Sequence, residues 1–324
     1  MTAVPVPIPI PIPVPVPVPA DALSAREQPN LPFVYARLVM VALFWGGTFI
    51  AGKALAQAMP PAVAAVLRFG VAVLLLLPLA WRSAGGLARL SWRQALATAG
   101  LGLTGIFLYN LCFFSALSRM PAGRTALFVA LNPVVTAIAA SLVFRERLRP
   151  LQWWGIALAL TGAVVVITRG SPLAALHDIG QSIGAGELLM FGAVLSWAAY
   201  TVIGRIAFAG LSPLVATTWA ALWGLSFLLL GSAGDLAELA WRQLPWPVWA
   251  AVVYLGAFGT VLGFVWYGDG VKAIGPSRTV VFNNLVPVFG VTLAALLLGE
   301  GITASMGMGG ALSVLGVMLT NRKT

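Results

Sequence analysis

Few residues in this 324-residue chain can do acid, base or ligand chemistry, and those few are scattered. A single cysteine, Cys112, excludes an intrachain disulfide, and a single histidine, His177, excludes a His-based metal cluster. The nine carboxylates form no cluster with His of the kind a membrane-face enzyme requires. The glycine-rich stretches Gly100-x-Gly102-x-x-Gly105 and Gly256-x-x-Gly259-x-x-x-Gly263 lack the Gly-Lys-Ser/Thr ending of a phosphate loop, so no ATP-driven step is expected. No cofactor is expected either. The informative side chains are instead polar and aromatic groups inside apolar runs, where a polar group is costly unless it meets a partner or a cargo.

Asn283 and Asn284 are adjacent carboxamides. On a helix they project about 100° apart, so at least one turns toward other helices or a cavity. It can hydrogen-bond a zwitterionic or polyol cargo, or a neighbouring helix. Asn132 has the same two readings, because Pro133 frees a carbonyl one turn earlier. Thr48 and Asn110 are further polar candidates. Trp45, Tyr109, Trp197, Tyr200, Trp266 and Tyr267 offer rings that suit planar or apolar cargo and attract cations, with packing or lipid contact as the structural alternative.

Charged residues in the apolar runs are the candidates for anchoring, gating or coupling. Arg68 lies about seven residues inside its run, too deep for loop punctuation. It either anchors a substrate carboxylate or, the reading favoured here, fixes its helix through a salt bridge or carbonyl contact. Lys53 and Arg205 end their segments, where a cation suits the negative helix pole, with gating as the alternative. Glu146 is neutralised locally by Arg145, Arg147 and Arg149, whereas Glu300 has no such neighbours and calls for Lys53 or Arg124. Asp269 and Lys272, spaced i, i+3, are expected to pair. Asp269 and Glu187 are the carboxylates that come nearest to suiting proton coupling, although Glu187 reads more simply as a first-turn acid.

The elements that must position these groups follow from composition. The chain is 60% hydrophobic and 9% charged, against about 25% charged in a soluble domain. Apolar segments recur at residues 33–54, 61–80, 95–117, 122–144 and 150–168, then 185–208, 213–231, 248–271, 276–298 and 303–320. Each approaches the roughly 20 residues a bilayer crossing needs. Breaks such as Met59-Pro60-Pro61 and Leu211-Ser212-Pro213 separate them, and Trp81, Trp92, Trp153, Trp154, Trp246 and Trp249 fall near their ends as an interfacial belt would. An all-α integral membrane protein of ten transmembrane helices is expected. Residues 1–32 contain the Val/Ile-Pro alternation of positions 4–19 and read as a Pro-rich disordered or semi-rigid cytoplasmic tail. The net charge of +10 comes from isolated Lys and Arg without an aromatic-laced basic stripe, so nucleic acid is not an expected partner.

With the N-terminus inside, thirteen Lys and Arg fall on the cytoplasmic side and five on the other, which places both termini in the cytoplasm. The two halves also repeat each other. Arg124-Thr125-x-x-Phe128-x-x-Leu131-x-Pro133-Val134 recurs as Arg278-Thr279-x-x-Phe282-x-x-Leu285-x-Pro287-Val288 at an offset of 154, while an offset of 152 pairs Trp45 with Trp197, Gly52 with Gly204 and Lys53 with Arg205. Five segments per half force the second repeat to enter from the opposite side. Inverted repeats at 33–168 and 185–320 are a common architecture of alternating-access carriers.

Trp45-Gly46-Gly47-Thr48-Phe49, Arg68-Phe69, the duplicated Pro133 and Pro287 segments ending at Glu146 and Glu300, and Trp197-Ala198-Ala199-Tyr200 together resemble the EamA-type carriers of the drug/metabolite transporter superfamily. The resemblance implies a central cavity lined mainly by helices 1, 3, 4, 6, 8 and 9, and export of amino acids or related metabolites by a secondary-active or facilitative carrier in the cell (inner or plasma) membrane. It covers drug-like cation and nucleotide-sugar carriers as alternatives, and an integral membrane enzyme is the rival class. The partners expected are a small-molecule substrate and the lipid bilayer, with a proton or counter-substrate as candidate coupling partners and a monomer or homodimer as the assembly. The absence of a deep acid in the first segment weakens proton antiport.

Overall fold

The computed structural model describes residues 30–84, 87, 89–145, 148–170, 184–207, 211–274 and 279–320. The Val/Ile-Pro repeat, Glu146, His177 and Arg278 lie outside the described residues, as does the side chain of Lys272. All regular structure among the described residues is helical.

Among the described residues, eight helices are long and apolar enough to cross a membrane. They are α1 (Leu31–Ala58), α2 (Pro61–Ala84), α3 (Trp92–Arg119), α4 (Ala122–Phe144), α5 (Pro150–Ile167), α6 (Ala185–Ala207), α7 (Pro213–Gly231) and α8 (Trp246–Gly270, continuing to Ile274). Two shorter apolar helices follow, α9 (Leu285–Leu298) and α10 (Ala304–Thr320). Starts are set by local chemistry. Asn30 accepts the Phe33 N–H, Ser91 and Gln94 form a reciprocal capping box, and Ser212 accepts the Val215 N–H. Prolines sit in the first turns of α1, α5 and α7, where no intrahelical donor is lost.

Two pairs of helices depart from α geometry at matched places. α3 carries a π-helical stretch at Gly102–Leu108 and α8 one at Tyr254–Leu262, 152 to 154 positions later. Glycines permit the close approach there. A Cβ on Gly102 would stand 2.8 Å from Ala220 O of α7, and one on Gly256 2.9 Å from Arg68 O of α2; the glycines are 154 positions apart and the two carbonyls 152. α4 is broken by a 3-10 turn at Val129–Leu131, and a 3-10 segment at Val280–Asn284 leads into α9. Both precede a proline, Pro133 or Pro287, whose missing N–H leaves a carbonyl four residues back without its helical donor. Asn132 N–H satisfies Val129 O by the tighter 3-10 bond.

Packing interleaves the two halves: α1 lies against α8 and α9, and α6 against α3 and α4. α5 and α10 meet through glycine faces. Gly155 abuts Gly316 and Thr320, while Gly162 abuts Gly309 and Ser313. Rising numbers on one helix meet falling numbers on the other, so the two run antiparallel, with Ser313 Oγ donating to Ala159 O at 3.3 Å between them.

Candidate functional site

A small cavity lies between α2, α3, α6, α7 and α8, and a buried cation is its main polar feature. Arg68, 8% exposed, reaches from α2 to α3 and α8. Its Nη1 donates to Asn110 Oδ1 at 3.1 Å and its Nε to Thr260 Oγ1 at 3.2 Å. Both acceptors are held by the π-helical segments. Asn110 Nδ2 donates to Ile106 O at 2.7 Å and Thr260 Oγ1 to Leu255 O at 2.9 Å, so their donors are committed and only their oxygens face the guanidinium. Arg68 forms no ion pair among the described residues; those present are Arg37–Asp269 and Arg124–Glu187. Removing a guanidinium from water costs several kcal/mol after relaxation, and a hydrogen bond involving a charge returns about 1.5–3 kcal/mol. The two bonds therefore roughly balance the burial and leave the cavity positively charged.

The rest of the lining is aromatic or small. Tyr109 packs on Trp197 with ring centroids 5.4 Å apart, and Trp197 stacks on Tyr200 at 5.2 Å. The Tyr200 hydroxyl sits beside Thr217. Phe264 lines the same space, and Ala220 and Ala221 stand on α7. Several lining residues form repeat-related pairs: Arg68 with Ala220, Phe69 with Ala221, Ile106 with Thr260, and Asn110 with Phe264. The space enclosed is about 30 Å3, room for a water or two.

Of the residues singled out in the sequence, Arg68, Tyr109, Asn110, Trp197 and Tyr200 converge here. Thr260, Thr217 and Phe264 were not singled out. Thr260 had one available signal, its place one residue beyond the glycine that mirrors Gly105.

Trp45, Tyr267 and Asn283 form a second group between α1, α8 and the start of α9. Trp45 Nε1 donates to Gly259 O at 3.0 Å, and its ring lies 5.5 Å from Tyr267, whose hydroxyl sits beside Asn283. Thr48 Oγ1 donates to Trp45 O at 2.6 Å. Phe264 links the two groups, touching Trp45 edge-on at 6.1 Å while lining the cavity. Asn132 Oδ1 and Asn284 Nδ2 are buried without hydrogen-bond partners among the described residues. Helices α1, α4 and α9 contribute nothing to the cavity lining, unlike the family expectation. α1 and α9 are too close to leave space, since a Cβ on Gly46 would lie 2.9 Å from Gly290 N.

Two pairings differ from the sequence reading, and Asp269 meets a partner the sequence did not announce while the side chain of Lys272 lies outside the described residues. Glu300 meets neither Lys53 nor Arg124; its two carboxylate oxygens accept the Ala122 and Gly123 N–H groups at 2.8 Å each. The first turn of α4 presents orphan donors and a positive pole, which suits a carboxylate. Lys53 does not end α1, which continues to Ala58; its ammonium donates instead to Leu117 O and Met120 O at the C-terminal end of α3, at 2.6 and 3.0 Å. Asp269 pairs with Arg37 of α1 at 3.6 Å, since α1 and α8 pack side by side. Arg124 forms a largely buried pair with Glu187 at 3.0 Å and donates to Ile167 O at 2.7 Å. Glu187 also accepts the Gly184 N–H, as a first-turn acid does. Arg205 stacks over Phe144 at 4.4 Å.

The EamA-like transporter family model matches this chain twice, over residues 33–168 and 184–322. The chain belongs to the EamA-like transporter family. It is 32% identical over 285 residues to an uncharacterized transporter of Bacillus subtilis, YyaM, covering 88% of this chain and 92% of that one. It is 30% identical to a probable amino-acid metabolite efflux pump of Salmonella typhimurium, over 87% of this chain and 92% of the pump. One crystal structure, 22% identical, superposes with a TM-score of 0.62 over 89% of this chain and 97% of its own, which marks a shared fold. A multi-pass membrane transporter of EamA type is therefore established by sequence family and by apolar helices together.

Proposed function

We propose that this EamA-family member is an exporter of amino acids or related small metabolites in the cell membrane, working by alternating access between two inverted five-helix repeats. The observation that carries the reading is the polar island of Arg68, Asn110 and Thr260, set among repeat-related residue pairs within an otherwise apolar bundle. The antiparallel α5–α10 contact and the matched π-helical stretches of α3 and α8 support the inversion. With five crossings per repeat and the charge bias of the loops, both termini face the cytoplasm.

The cavity is far smaller than the roughly 300 Å3 or more of a small-molecule site, so cargo enters only when the walls part. One end is tied by Lys53, Glu300 and the Arg124–Glu187 pair, which join α1 to α3, the α9–α10 connection to α4, and α4 to α5 and α6. The other end carries the half-exposed Arg37–Asp269 pair. On this reading cargo from that end passes Asn283, Tyr267 and Trp45 before Phe264, which is supported by the ring contacts of Trp45 with Tyr267 and Phe264. Similarity to a probable amino-acid metabolite efflux pump supports the cargo class. The test is counterflow in proteoliposomes with a panel of labelled amino acids. Saturable, cargo-specific exchange is expected; its absence across the panel with demonstrably folded protein refutes the proposal.

A further inference from the structure

Resting on the reading that this cavity is the cargo chamber, we infer that it selects monoanionic carboxylates with a planar apolar body, and that Arg68 holds the carboxylate. Charge is the first argument. Arg68 is nine-tenths buried, its Nε and Nη1 touch neutral oxygens, its guanidinium lies 5.5 Å from the Phe69 ring, and no carboxylate faces it among the described residues. A guanidinium fork matches a carboxylate through two parallel bonds, which neither Asn110 nor Thr260 can supply.

Shape is the second. Ala220, the repeat counterpart of Arg68, and Ala221 and Thr217 beside it, are short side chains that leave depth in the chamber. Tyr109, Trp197 and Tyr200 form a continuous ring wall along it. The third argument is what an ammonium would require. No acid lines the cavity among the described residues. The rings flank a guanidinium that is already in place, Arg68 lying 5.5 Å from the Phe69 ring, so a second cation would meet like charge there. The ammonium of an amino acid is therefore tolerated without being recognised.

A role for Arg68 in packing alone makes binding independent of cargo charge, which gives the test. Hydrocinnamate, phenylalanine, hydrocinnamamide and phenethylamine share a ring and differ in charge. Titration calorimetry on the detergent-solubilised full chain is expected to show hydrocinnamate binding at least as tightly as phenylalanine, and about tenfold or more tighter than the amide or the amine. Arg68→Gln abolishes that carboxylate-over-amide preference, and Arg68→Lys keeps it in weakened form, because a point charge replaces the fork. Weaker binding of hydrocinnamate than of phenylalanine, a smaller preference over the amide, no binding by any of the four, or a preference that survives Arg68→Gln overturns the inference. If Arg68→Gln does not fold, the wild-type ratios and Arg68→Lys decide. Counterflow of labelled amino acids alongside separates the two readings: exchange without hydrocinnamate binding removes this inference alone, and no exchange removes the carrier reading beneath it.

Discussion

Replacing Glu187 by Leu tests whether one end of the bundle is held by charge. Arg124 and Glu187 approach to 3.0 Å with side chains 11% and 10% exposed, so bulk water screens the pair little. Removing the carboxylate leaves Arg124 with Ile167 O at 2.7 Å, and its Nε already lacks a partner among the described residues. Breaking such a sequestered pair from one side costs about 3–5 kcal/mol, because the remaining charge stays desolvated. At roughly 2 °C per kcal/mol for a chain of this size, the apparent Tm in detergent falls by about 6–10 °C. Arg124→Met leaves Glu187 with the Gly184 N–H and is expected to lower Tm by a similar amount. The double variant removes both charges and should recover most of the loss, ending within about 3 °C of the parent. Fluorescence-detected size-exclusion after a heating series measures all four proteins. Single variants within a degree of the parent, or a double variant as low as the sum of the singles, would show that the pair does not hold α4 to α6.

Three further outcomes are expected. Gly162→Ala forces a methyl to 2.5 Å from Gly309 O, separating α5 from α10 at about 1–3 kcal/mol, while Gly307→Ala on the same α10 meets nothing within 4 Å and leaves Tm level or raised; equal effects in thermal unfolding would contradict the packing. Glu300→Ala removes the acceptor for the Ala122 and Gly123 amides, at about 1–2 kcal/mol, so hydrogen exchange in the first turn of α4 should accelerate while that of α7 is unchanged. Trp197→Ala should raise the KM for cargo several-fold by opening the ring wall. Trp45→Phe, which deletes the bond to Gly259 O and part of the ring packing on Tyr267 and Phe264, should cost about 1–3 kcal/mol of stability; a larger KM effect at Trp45 than at Trp197 reverses their assigned places.

Some of this site was legible in one dimension. Arg68 declared itself because a cation seven residues inside an apolar run has no cheap explanation, and the Trp45/Trp197 and Pro133/Pro287 repeats are matches along the chain. Pro133 announced a freed carbonyl one turn earlier, but the 3-10 stretches in α4 and before α9 were not expected, since 122–144 and 276–298 each read as one crossing. The partners of the charges did not follow. Glu300 lies 178 residues from the Ala122 amide it accepts, and Arg68 lies 192 from Thr260; neither neighbour in sequence nor helical spacing points to them. Nor did the sequence announce that Asp269 meets Arg37, which α1 brings within reach; its expected partner Lys272 has a side chain outside the described residues.

The sequence by itself determined what each segment is: apolar length, proline and glycine breaks, and a residue pattern that recurs in the second half are properties of the chain, written where they act. Only the tertiary structure decided which polar atoms meet. Repeat-equivalent tryptophans illustrate the division, for Trp197 lines the cavity while Trp45 is bonded to the α8 backbone. Their equivalence lies in the chain, but their surroundings are supplied by other helices. Gly263 stands opposite one where Tyr109 stands opposite the other, and only packing brings those differences to bear.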